Sequence, residues 1–83
     1  MPSRSQLPGE LKRGKFTNAL KRLGFEISVK GGGGDYVKVT WPPTQKMITV
    51  QRNVRKDVLY YLLKEIENIT NGQITWENIK KEL

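Results

Sequence analysis

The strongest pattern in the chain is an alternation of apolar and polar residues between positions 25 and 50. Phe25, Ile27 and Val29 alternate with Glu26, Ser28 and Lys30, and beyond the four glycines 31–34 the same rhythm returns as Val37, Val39 and Trp41 against Lys38 and Thr40. A side-chain period of two is that of a half-buried strand, so each run predicts a strand with one face on a core and Lys30 and Lys38 on the wet side. Residues 47–50 form a shorter third run with Ile48 and Val50 on alternate positions. Pro42-Pro43 cannot donate ladder hydrogen bonds, so the chain turns before the third run. The pattern predicts a three-stranded antiparallel meander with a basic bare face.

Two stretches flank the meander with helical spacing. Phe16, Ala19, Leu20 and Leu23 stand at i, i+3, i+4 and i+7, which predicts a helix over 15–23 with Gly14 as N-cap. Gly24 follows where a left-handed residue would end it. Downstream, Val58, Leu62, Ile66 and Ile69, with Leu59 and Leu63 beside them, form a broad apolar stripe. They predict the main core helix over 54–68, with Asn53 as its N-cap. Asn71-Gly72 marks a turn, and Thr75 is the N-cap of a final helix over 76–83 that is expected to pack on the main one. Residues 1–13 show no sustained apolar period and read as an extended, mobile basic arm, either idle or touching nucleic acid.

Composition narrows what such a domain can do. The 83 residues include no cysteine and no histidine. Disulfides, thiolate metal sites and thiol nucleophiles are excluded, as is the side chain most used for proton transfer near neutral pH. No cofactor or metal is expected. No apolar run approaches the roughly 20 residues needed to cross a bilayer, and the start of the chain lacks a signal-peptide pattern, so a cytoplasmic protein with no membrane partner is expected. The net charge of +7 is uneven: positions 1–56 hold twelve Lys/Arg against three acids, and positions 57–83 hold three against five. Such polarisation suits a polyanion on one side of the molecule, and nucleic acid is the commonest one.

The cations are not randomly placed. Arg52, Arg55 and Lys56 surround the start of the main helix, where free backbone N–H groups already attract anions, so this is either an anion site or a solvated basic turn. The four glycines admit three readings: a joint, a hairpin connection, or backbone approached by phosphate. Without a Gly-Lys-Ser/Thr ending or a strand-to-helix setting they match no phosphate-loop pattern, which favours the hairpin.

The order helix, three strands, helix on a short basic chain resembles the double-stranded-RNA-binding fold. A narrower similarity rests on Gly14-Lys15-Phe16, on the run Ala19-Leu20-Lys21-Arg22-Leu23-Gly24-Phe25-Glu26, on Lys30 and the glycines, and on Val37-Lys38-Val39. It continues through Ile48-Thr49-Val50-Gln51-Arg52-Asn53, Val58-Leu59 and Leu63-Lys64-Glu65-Ile66. These segments resemble the HicA toxin family over most of residues 14–69. The resemblance implies a single HicA-like domain over 14–83, α+β in class, with a three-stranded antiparallel sheet between two helices and a short C-terminal helix. It also implies a toxin of a toxin–antitoxin system that binds and cleaves mRNA and is silenced by a HicB-like antitoxin protein. In that family a catalytic histidine follows a glycine at the start of the second strand, and a second histidine ends the pattern Val-Pro-Arg-His after the third. Here Tyr36 and Asn53 stand at those two places.

The substitution alters the chemistry that can be expected. Cleavage by the RNA 2′-hydroxyl needs a base and an acid, and a phenol, with an ordinary pKa of about 10, is a poor base at pH 7. Asp35 is the remaining candidate base, Tyr36 a hydrogen-bond donor or stacking platform, and Lys30, Lys38, Arg52, Asn53, Arg55 and Lys56 the RNA-binding set. Three functions follow as expectations: an endoribonuclease of the HicA type, a non-catalytic module for mRNA or duplex RNA on the same scaffold, or a protein-interaction domain offering a strand edge to an acidic partner.

Overall fold

The computed structural model describes residues 2–28 and 36–83. Its first helix, α1 (Arg13–Arg22), buries Phe16, Ala19 and Leu20 completely, the stripe set by their spacing. Lys12 rather than Gly14 is the N-cap residue, so the helix starts two residues earlier than the stripe alone indicates, and within its first turns Thr17 Oγ1 meets the carbonyls of Arg13 and Gly14 at 3.0 and 3.2 Å. At the other end Gly24 adopts φ +107°. Its N–H donates to the Lys21 carbonyl and that of Phe25 to the Leu20 carbonyl, the paired bonds that close a helix through a left-handed residue.

The central sheet has the order β2 (Glu26–Ser28), β3 (Tyr36–Trp41), β4 (Lys46–Gln51), all antiparallel. Val37, Val39 and Trp41 face inward beside Ile48 and Val50, so the alternation assigned the buried face correctly. Phe25 and Trp41 stack with ring centroids 4.7 Å apart. The turn after Trp41 passes through Gln45 at φ 60°, and Thr44 Oγ1 donates to the Ile69 carbonyl, tying the hairpin to the end of the main helix. Residues 29–35, with the glycine run, Lys30 and Asp35, lie outside the described residues, so the proposed hairpin connection does too.

Of the two lysines that the pattern places on the opposite face, Lys38 is there and Lys30 lies outside the described residues. Tyr36, Lys38 and Thr40 stand beside Gln51, Thr49 and Met47, with Ser28 and Glu26 on the third strand. Lys38 is the one cation in outward register among the described residues, and Glu26 shares the face.

The main helix, α2 (Lys56–Ile69), buries Leu59, Leu62, Leu63, Ile66 and Ile69 against the sheet. Asn53 does not cap it. Residues Asn53–Arg55 form a further strand, β5, that pairs antiparallel with β1 (Glu10–Lys12), and Arg55 is the N-cap residue. Val54, fully buried, faces Leu11 across this two-stranded sheet. An Asn before an apolar run resembles a helix start, but a partner strand remote in sequence offered Val54 a ladder and a core position. The stretch read as an arm therefore contributes structure: a turn of 3-10 helix over Arg4–Gln6, the buried Leu7, and β1.

The last helix, α3 (Trp76–Lys81), starts at Thr75, whose N–H and hydroxyl both meet Asn78 Oδ1. It packs chiefly against α1, whereas the main helix was its expected partner, with Arg22 Nη1 donating to the Glu82 carbonyl at 3.0 Å. Trp76 and Ile79 are buried there, which makes Trp76 a core residue. The loop before it is fixed by Thr70, the buried C-cap residue of α2. Its hydroxyl donates to the Ile66 carbonyl and accepts from the Ile74 N–H.

Candidate nucleic-acid interface

Tyr36 opens β3 and Gln51 closes β4, and the register places them opposite each other at one end of the sheet. The chain then bends at Arg52 and enters β5 with Asn53. These four residues line one shallow pocket of about 210 Å³. Tyr36 is 56% exposed, so its ring lines the pocket rather than entering the core. The two positions at which the HicA resemblance places histidines, 22 and 39 residues into the segment that carries it, thus share one pocket although they are separated along the chain.

The other predicted residues distribute around this pocket. Lys38, half-buried, is two residues from Tyr36 on the same strand face, about 7 Å along β3. Arg55 is exposed and two residues from Asn53 on the side of β5 opposite Val54. Lys38, Arg52 and Arg55 thus follow the pocket from the sheet to the two-stranded corner. Pattern reasoning missed Lys12, which lies opposite Asn53 across the β1–β5 ladder, and Glu10, which lies opposite Arg55 and dilutes the positive charge there. A strand of three residues with one apolar position has no period to detect. Gln51 was visible only as a member of the similarity.

The start of α2 is a weaker anion site than its sequence suggests. The Lys56 N–H donates to the Gly9 carbonyl at 3.1 Å, so one of the free donors of the first turn is already used. Asp57, exposed in the same turn, supplies the negative charge that the helix dipole favours. Arg55 and Lys56 therefore flank a partly satisfied helix end. Lys30 and Asp35 lie outside the described residues.

The polar inventory of the pocket is a phenol, two carboxamides and a guanidinium, all able to donate hydrogen bonds to phosphate or base edges. Among the described residues, no group of three or more acidic side chains gathers as a metal site, and no helix is long and apolar enough to cross a membrane. No protein-family model, curated protein or solved structure matches the chain.

Proposed function

We propose that the chain is a HicA-like RNA-binding domain of the toxin–antitoxin type that grips mRNA at the Tyr36 pocket. The observation that carries the reading is the convergence of Tyr36, Arg52 and Asn53 on one surface, with Lys38 and Arg55 on either side. Arg52 offers a planar fork for a phosphate, and Lys38 a point charge. Asn53 and Gln51 supply amide donors and acceptors to base edges, and Tyr36 a ring or a hydroxyl. A HicB-like antitoxin with an acidic surface would cover the same cations.

A second reading, in which the bound RNA is cut, is suggested by the resemblance, which puts Tyr36 at the position of the family's catalytic histidine. The 2′-hydroxyl attacks the adjacent phosphorus, Asp35 takes its proton, Arg52 bears the phosphorane charge, and Tyr36 protonates the leaving 5′ oxygen. The products are a 2′,3′-cyclic phosphate and a 5′-hydroxyl.

One experiment addresses both readings: titration of purified protein with labelled RNA across salt, followed by electrophoresis of the same mixtures in chelator. Binding is expected to weaken steeply between roughly 50 and 200 mM salt, and Arg52→Gln and Lys38→Gln should each lower the slope by about one ion. Salt-independent binding sinks the proposal. Cleavage no greater than that of the Asp35→Asn, Tyr36→Phe double variant removes the second reading and leaves the first intact.

A further inference from the structure

Beyond the Tyr36 pocket lies another, on the far side of Gln51. Thr49, Gln51, Val58, Tyr61, Leu62 and Glu65 line a groove of about 240 Å³ between β4 and α2. Gln51 borders both cavities, which therefore adjoin it at the end of β4. Each contains a tyrosine that is more than half exposed: Tyr36 at 56% and Tyr61 at 58%. Tyr61 is also held in place, since Tyr60 packs edge-on against it with centroids 6.0 Å apart and the Arg4 guanidinium lies 5.9 Å from its ring.

We infer that this double pocket takes single-stranded RNA, with successive bases stacked on Tyr36 and Tyr61 and the intervening step read by Gln51; the inference rests on the RNA-binding reading above. Bases in a duplex stack on one another and hide their faces, whereas splayed bases present them to aromatic side chains. The charges fix the strand's orientation. Glu65 repels phosphate from the groove, while Val58 and Leu62 give it an apolar floor, so a base enters there and the backbone stays on the Arg52 and Lys38 side. β4 is an edge strand among the described residues, which leaves main-chain groups beside the groove for base edges.

The test is fluorescence anisotropy of wild type, Tyr61→Ala and Tyr61→Phe with a 12-nucleotide single-stranded RNA, a duplex of the same length, and polyglutamate, each over a salt series. Circular dichroism verifies that the variants fold, as the exposure of Tyr61 leads us to expect. The wild type should bind the single strand more tightly than the duplex. Tyr61→Ala should lose roughly 5- to 150-fold on the single strand, the range of one base–aromatic stack, with its salt slope unchanged, and Tyr61→Phe should retain affinity. An unchanged affinity for Tyr61→Ala, or a duplex bound as tightly as the single strand, overturns the stacking inference while RNA binding stands. Polyglutamate binding that depends on Tyr61 overturns it in favour of an acidic protein strand. A wild type that binds no RNA removes this inference and the proposed function together.

Discussion

The two sheets of this small domain are specified in different ways. In β3 six residues alternate without a break, in β4 Ile48 and Val50 continue the inward face while Lys46 at its start is exposed, and the register follows from the pleat. In β1 and β5 three residues pair with three, and a single contact between Leu11 and Val54 supplies the apolar content. The first sheet holds the core. The second holds Asn53 and Arg55, two residues of the candidate interface, and is thinner. Local sequence specifies the scaffold, whereas contacts between distant segments specify one wall of the site.

The largest expected effect attacks the central sheet. Val39 is fully buried, and Val39→Asp places an unpaired charge there at a cost of about 3–5 kcal/mol, so the whole domain should lose its cooperative urea transition. A variant that still unfolds cooperatively at a similar midpoint would mean that the sheet does not carry the core.

The comparison also explains which features were legible in the sequence. The limits of β3 were readable to the residue because Tyr36–Trp41 alternates throughout, and Gly24 ended α1 because only its backbone suits a left-handed residue there. β5 was not legible. Asn53 carries the local signal of a helix cap, and the competing signal, Leu11, is more than forty residues away and has no period of its own. The site was legible only in part: Tyr36 and Asn53 came from resemblance, Arg52 from the cluster of cations before the main helix, and the pairing of Tyr36 with Gln51 joined them. Tyr61 lies beside the apolar stripe of α2, where a sequence pattern reads a solvated position.

A smaller effect tests the corner. Removing residues 1–12 deletes β1, the Gly9 acceptor and the buried Leu7, whose burial alone contributes about 1.5–3 kcal/mol. The shortened chain should unfold at lower urea yet keep its central sheet. Hydrogen exchange should show amides of β3 and β4 still protected and those of the first turn of α2 opened. Equal loss of protection in both places would make the two sheets one cooperative unit.

The smallest effect concerns the outermost attachment. Arg4 lies 4.7 Å from the Tyr60 centroid, and Arg4→Ala should cost about 0.5–1 kcal/mol by thermal unfolding, as exposed cation–π contacts do. A loss above about 2 kcal/mol would show that the beginning of the chain is held mainly at this point rather than at Leu7 and β1.

The ladder joining Lys12 to Asn53 also carries an entropic cost that the meander does not. The meander closes over short spans, whereas the corner must bring together segments more than forty residues apart, a slower search with a higher entropic barrier. A nascent chain can thus possess its core while still lacking the side of the pocket that Asn53 provides. The strand pairing that completes this side of the pocket is therefore the contact of longest range in the two sheets.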